Sequence, residues 1–147
     1  MKGALGLVPA AKAVRDELMT VAPPEATPAA TDAVAGARRT AAALRKTVLV
    51  AVGLALETYG ESLTNEQEVL MALADLMIEA FAADSAALRA SQAAAASHPL
   101  ASLHADAASL IAHDAGLRAD VTARTLLGSV LTGDSQRRAL AALPRVL

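Results

Sequence analysis

Large apolar residues recur along this chain every three or four positions, which is the spacing that places them on one side of an α-helix. The first long stretch of this kind runs from about Asp32 to Tyr59. Thr31 or Asp32 can cap its start, and Gly60 can end it in the left-handed conformation that glycine adopts easily. The positions that share its main apolar face are Val34, Ala41, Leu44, Val48, Val52, Ala55 and Tyr59. The pattern predicts a long helix that packs this face against its neighbours.

The same helix is also apolar on its other side, between Thr47 and Leu56. A helix that is apolar nearly all round must be covered on more than one side. We therefore expect either a central position in a bundle or a partner surface formed by Leu49, Val50 and Leu54.

A second long helix is predicted to begin at Thr64 or Asn65 and to reach about Ala96. Thr64 with Gln67, or Asn65 with Glu68, has the reciprocal spacing of a capping box. The residues expected on its buried side are Val69, Leu70, Leu73, Leu76, Met77, Phe81 and Leu88. After His98-Pro99, a third long helix is predicted from about Leu100 to Leu131.

Shorter helices are expected at both ends of the chain. Pro9 suits the first turn of a helix over Ala10–Thr20. The backbone N–H groups of the first turn have no partner within the helix, so proline loses nothing there by lacking one. The segment from Ala22 to Pro28 contains three prolines, so it cannot form the interior of a helix. Asp134 or Ser135 can cap a last helix that ends near Leu143.

These elements divide the chain into residues 1–30, a short helix with a proline-rich linker, and residues 31–147, a helical bundle. The predicted fold class is all-α and four-helix-bundle-like, with three long helices plus shorter N- and C-terminal helices. Composition agrees: 54% of residues are hydrophobic but only 1% are aromatic. About half of the hydrophobic residues are alanine, the best helix former, so we expect helices that pack closely through small side chains.

Charge and cysteine content narrow the classes of function. Thirteen basic and fifteen acidic residues give a net charge of −2, without the basic clusters that nucleic acid requires. The chain has no cysteine, which excludes disulfides and thiolate chemistry and suits the cytoplasm. Its longest apolar run, Val48–Leu56, is far shorter than the ~20 residues of a transmembrane helix.

A search for chemistry leaves no catalytic, cofactor-binding or metal-binding residue to assign. A di-iron bundle needs two Glu-x-x-His pairs, and the sequence contains none. Neither a phosphate loop nor a Gly-x-Ser-x-Gly motif is present. We interpret His98, His104 and His113 as capping or solvated residues rather than metal ligands.

Charged residues on the helices are better explained by ion pairs. Asp84 lies on the apolar side of the second helix, where a charge needs a partner. We expect that partner to be Arg45 or Arg38. In the third helix, two acid-first pairs have the i,i+4 spacing that stabilises helices, namely Asp114 with Arg118 and Asp120 with Arg124.

One stretch of the chain resembles the C-terminal helical extension of very-long-chain-type acyl-CoA dehydrogenases. The resemblance is most specific over Tyr59–Ala90, and its motifs occur in the family's order and spacing. They are Tyr59-Gly60-Glu61-Ser62-Leu63-Thr64-Asn65-Glu66-Gln67-Glu68-Val69-Leu70, Leu73-Ala74-Asp75, Ile78-Glu79-Ala80-Phe81-Ala82, Leu88-Arg89-Ala90 and His98-Pro99. The opening Gly3–Leu7 and Pro9-Ala10 are similar to the stretch that leads out of the family's catalytic body.

The resemblance implies a non-catalytic domain involved in fatty acid β-oxidation. In the family, the sites for the flavin (FAD) and acyl-CoA and the catalytic glutamate lie upstream, so no catalytic residue carries over to this chain. The implied role is self-association or docking to the flavin-containing catalytic body, with peripheral membrane contact in some relatives. Two alternatives stay open: a stand-alone helical protein-interaction module unrelated to β-oxidation, and a metal-dependent helical enzyme.

Overall fold

A computed structural model of the chain describes residues 6–20 and 32–143. All the regular structure in these residues is helical, which confirms the predicted all-α, bundle-like fold. The elements are α1 (Leu7–Thr20), α2 (Ala33–Tyr59), a 3₁₀ segment (Gly60–Asn65), α3 (Gln67–Ala95), α4 (Ala101–Val130) and α5 (Gly133–Ala142). The predicted proline-rich linker lies outside the described residues.

Three long helices form the centre of the fold. Helices α2, α3 and α4 each pack against the other two, while α1 packs along α2 and α5 packs against α4. The core therefore lies on the shared inner faces of α2, α3 and α4.

None of the described helices is both long enough and apolar enough to cross a membrane.

Alanine supplies much of this core. The largest side chains that are fully buried are Leu44, Leu76 and Leu126, one from each long helix. Between them, the alanines that are completely excluded from solvent are Ala41, Ala55, Ala83, Ala90, Ala115 and Ala119. Interiors are close-packed, so small side chains on facing helices require the helix axes to lie close together.

Both predicted ends of α2 are confirmed. The Asp32 carboxylate accepts hydrogen bonds from the backbone N–H groups of Val34 and Ala35, at 3.0 and 3.2 Å. Gly60 follows the helix with a φ of 55°, in the left-handed region that glycine enters without steric cost. These two residues fix where the helix starts and stops.

Removing the Asp32 cap should weaken the fold modestly. We expect Asp32→Ala to lower the free energy of unfolding by about 1 kcal/mol, because two N–H groups of the first turn lose their acceptor. Chemical denaturation measures the change. Asp32→Asn keeps a side-chain acceptor and serves as the control, with an expected change of only a few tenths of a kcal/mol. Equal losses in both variants would contradict a capping role.

The predicted capping box at the start of α3 is wrong. A 3₁₀ segment occupies Gly60–Asn65, and α3 begins only at Gln67, with Glu66 in the N-cap position and without a side-chain cap. The Thr64 hydroxyl donates to the Glu61 carbonyl instead. Since the 3₁₀ turn places the N-cap at Glu66, one residue after Asn65 and two after Thr64, neither predicted pair has the required register.

The prediction for the buried side of α3 is only partly right. Val69, Leu73 and Leu76 are buried, but Leu70, Met77, Phe81 and Leu88 are exposed. Further along the helix, alanines occupy the interior positions instead, at Ala80, Ala83, Ala87 and Ala90. Helix α3 thus buries a face of small residues and leaves a face of large ones outside.

Helix α1 is held on α2 by a close contact between small residues and by ion pairs. A Cβ added at Gly53 would overlap the Ala11 side chain, so the two helices touch at this point. Arg15 donates to Glu57 at 3.0 Å, and Lys46 donates to Glu17 at 2.6 Å. Helix α1 therefore covers part of the second apolar side of α2.

Candidate interface

No catalytic arrangement is visible among the histidines. The His98 Nδ1 accepts a hydrogen bond from the Leu100 backbone N–H at 3.1 Å and so closes the turn before α4. The rings of His98 and His104 lie edge to face, with centroids 5.6 Å apart. Within residues 6–20 and 32–143, no group of three or more histidine, aspartate or glutamate side chains could hold a metal ion. Helix α4 itself has no side-chain cap, so His98 is hydrogen-bonded in the preceding turn and is not the cap of the helix.

Ion pairs account for the charges singled out on the helices. The Arg45 guanidinium bonds the Asp84 carboxylate between α2 and α3, which confirms the first of the two expected partners. Both side chains are about half exposed, so this pair contributes little to stability.

Arg118 bonds a different carboxylate from the one predicted. Its guanidinium donates two hydrogen bonds to Glu79 of α3, at 2.6 and 3.0 Å, instead of pairing mainly with Asp114. The bond to Glu79 raises the pKa of Arg118, and the charge of Asp114 adds to the effect. A bidentate pair of this geometry favours one axial register of α4 against α3.

The second predicted i,i+4 pair does form. Arg124 donates to Asp120 at 2.8 Å within α4, and this bond raises the pKa of Arg124.

The residues predicted as a partner surface on α2 are half-buried. Leu49 and Val50 are partly exposed, and Leu54 packs against the core. Val50 lies four residues after Lys46 and three before Gly53, both of which contact α1. Helix α1 thus accounts for part of the cover that this side of α2 needs, and an interface at Leu49, Val50 and Leu54 stays a prediction.

Large exposed apolar residues lie instead on α3 and α4. On α3 they include Leu70, Met77, Phe81 and Leu88, which we call the α3 stripe. On α4 they include Leu103, Leu110, Leu117 and Val121, which we call the α4 stripe. Their exposed fractions reach 75% at Phe81 and 66% at Val121. Contiguous exposed apolar surface of this kind marks an interaction site in soluble proteins.

The sequence did not show that the residues of these stripes are exposed, although their helical spacing was visible. Within each stripe the residues are separated by four or seven positions, so they share one side of their helix. That spacing equally describes a buried face, which is how the α3 residues were interpreted. A second face of α3, at the positions filled by alanine, was the signal that could have distinguished the buried face from the exposed one.

Ile78 of α3 lies next to part of the α4 stripe. It lines a shallow hollow in the groove between α3 and α4, together with Leu117 and Val121. Asp75, Glu79, Arg118 and Thr122 complete the lining. The hollow therefore combines three apolar residues with four polar or charged ones.

Comparison with known proteins assigns this bundle to a family. The family model described as "Acyl-CoA dehydrogenase, C-terminal domain" matches residues 43–145, which begin within α2 and include all of α3, α4 and α5. The chain belongs to the acyl-CoA dehydrogenase C-terminal domain family.

Two relatives show how this family's bundle occurs in longer chains. A probable acyl-CoA dehydrogenase of Bacillus subtilis (strain 168) is 33% identical over 96 residues, which are 65% of this chain and 16% of the relative. The crystal structure of an acyl-CoA dehydrogenase complexed with FAD from Bacillus anthracis matches 99% of this chain and 24% of its own, with 28% identity and a TM-score of 0.88. This acyl-CoA dehydrogenase domain thus spans less than a quarter of the relatives it matches.

Proposed function

We propose that this chain is the non-catalytic helical domain of a long-chain-type acyl-CoA dehydrogenase that acts in fatty acid β-oxidation in the cytoplasm. Its role is to associate with the flavin-containing catalytic body and to support oligomerisation. In this proposal the FAD belongs to that body, and no residue of this chain binds it.

The exposed apolar surface is the observation that carries this proposal. A domain built for isolation in water would expose fewer large side chains, since burying one fully is worth about 1.5–3 kcal/mol. The Bacillus anthracis enzyme, whose matching part is 24% of its chain, supports a large neighbouring body as the source of cover. We assign docking to the α4 stripe, whose four side chains are each more than half exposed.

Co-purification tests the docking role. The chain is co-expressed with a flavin-binding acyl-CoA dehydrogenase body from the same organism, and the complex is followed by mass and by flavin absorbance. We expect a yellow complex with the wild-type chain and at least tenfold weaker binding with Leu110→Glu, because a charge would then be buried against the body. The chain purified alone should carry no flavin.

Ser109→Glu is the matched control. Ser109 is exposed on α4 one residue before Leu110 and points to a different side of the helix. It adds the same charge outside the α4 stripe, so binding should be retained. Failure of the wild-type chain to bind the flavoprotein, or flavin bound to this chain alone, would contradict the proposed function and favour a stand-alone interaction module.

A further inference from the structure

The α3 stripe belongs to a longer seam with the spacing of a coiled coil. From Leu70 to Leu88, the outward positions of α3 follow one another at alternating intervals of four and three residues. These positions hold Leu70, Ala74, Met77, Phe81, Asp84 and Leu88. This is the spacing by which one helix packs lengthwise against another. Since the large side chains of the seam are 39–75% exposed, the seam can accept a further helix.

The large side chains of the seam are arranged symmetrically about its midpoint. Around position 79, Leu70 mirrors Leu88 and Met77 mirrors Phe81. A twofold interface places each residue of one copy against its mirror position in the other. Two antiparallel α3 helices, related by an axis at the level of Glu79, would therefore pair Leu70 with Leu88 and Met77 with Phe81. Thioether–aromatic contacts such as the second pair are favourable.

Charged residues near the seam do not oppose this pairing. Asp84 mirrors Ala74, so no carboxylate meets a like charge, and its own charge is already paired with Arg45 of α2. Glu79 lies level with the axis but bonds Arg118 of α4, which turns it away from the seam. The seam is therefore apolar where two copies would meet.

The surface available is of the size that a dimer needs. Six large apolar residues of α3 are 39–75% exposed, namely Leu70, Met71, Met77, Ile78, Phe81 and Leu88. At roughly 100 Å² each they supply on the order of 600 Å² per copy, against about 800 Å² per partner in a standard interface. Two copies would therefore bury about 1,200 Å² in total, which is at the lower end of the range for specific interfaces.

We propose that two copies of this chain associate through antiparallel α3 helices, with Phe81 and Met77 at the centre of the interface. The inference rests on the proposed function, because it assigns the oligomerising part of that role to a defined seam. It leaves the α4 stripe free for the catalytic body.

Mass in solution tests the pairing. We expect the full chain to sediment at twice its 14.9 kDa mass at micromolar concentration. Phe81→Glu should return it to the mass of one chain and raise the dissociation constant about 100-fold or more, since Phe81 is used twice in a symmetric interface. Leu110→Glu places the same charge on the α4 stripe and should leave the dimer intact. Circular dichroism confirms that both variants stay helical.

Engineered cysteines test the orientation, because the natural chain contains none. A Leu70→Cys, Leu88→Cys double variant should form intermolecular disulfides on oxidation. Neither single variant should do so, because residues 18 positions apart on a helix are separated by about 27 Å. That separation also excludes a disulfide within one chain.

The possible results separate this inference from the proposed function. A wild-type chain that stays monomeric at high concentration overturns the pairing, and so does a dimer that Phe81→Glu leaves unchanged. Disulfides in the single variants would show a parallel arrangement and would overturn the antiparallel one. Binding to the flavoprotein is measured independently through Leu110→Glu, so the docking role can fail or stand whatever the mass of the isolated chain.

Discussion

Leu76→Ala should lower the free energy of unfolding by about 2–5 kcal/mol, the largest loss expected from a single substitution in this chain. Leu76 is 1% exposed and is the largest fully buried side chain that α3 contributes. Alanine there removes one methine and two methyl groups and leaves a cavity. The rigid helices around it, which already touch through alanines, can close that cavity only in part. Chemical denaturation, with the slope checked for constancy, measures the loss.

The control for this prediction is Leu103→Ala, the same chemical change at a position 60% exposed on α4. The free energy of unfolding should change by no more than about 0.5 kcal/mol, because this side chain is already largely in contact with water. The comparison tests the central feature of the fold, that this chain keeps some leucines inside and many outside. Similar losses at Leu76 and Leu103 would mean that the α4 stripe is buried in the isolated chain.

The second large effect is expected at Gly53, where α1 and α2 touch. A Cβ at this position overlaps the Ala11 side chain, and Ala11 is a short side chain that cannot swing away. Gly53→Ala should therefore force α1 off α2, at a cost of about 1–3 kcal/mol for overpacking. Hydrogen exchange should show faster exchange in α1 amides, while amides at the centre of α2 stay protected.

Gly116→Ala is the matched control for Gly53→Ala. The added Cβ would lie 3.7 Å from Thr40 Cγ2, which is ordinary van der Waals contact. With no overlap, the higher helix propensity of alanine should stabilise the chain by up to about 1 kcal/mol. Opposite signs at the two glycines would establish that the α1–α2 contact, and not helix propensity, controls the result at Gly53. Unchanged α1 protection in Gly53→Ala would contradict it.

The two outward stripes give the domain two separate ways to meet other proteins. The α4 stripe is assigned to the catalytic body and the α3 stripe to a second copy. Phe81 and Leu110 are 75% and 63% exposed, so substitutions at these two positions test association with little disturbance of the fold. That separation is what makes Phe81→Glu and Leu110→Glu informative as a pair.

Several features of this fold followed from the sequence alone. The long helices were predicted from apolar spacing, and the ends of α2 from Asp32 and Gly60, because capping is a local event that depends on one side chain or one φ angle. The Arg45–Asp84 pair was predicted because a charge on an apolar face needs a partner within reach. The family resemblance was carried by short motifs from Tyr59 to Ala90, inside the region that the family model matches.

Other features depended on how the helices meet. Arg118 had a partner in its own helix, yet it bonds Glu79 across the groove, because the packing of α4 on α3 brings that carboxylate closer in a bidentate geometry. The start of α3 moved to Gln67 because a 3₁₀ turn intervenes between α2 and α3. Neither outcome can be read from residue types, since each requires the relative position of two elements.

What the sequence determined by itself is that this chain forms amphipathic, alanine-rich helices with defined ends. Which apolar face of α3 turns inward was decided only by the tertiary structure. Apolar spacing marks both faces equally, so periodicity cannot choose between Phe81 and Ala83. The choice follows from distance: helices that pack closely on two neighbours accept alanine at the contact, and the large side chains are left outside to meet a partner.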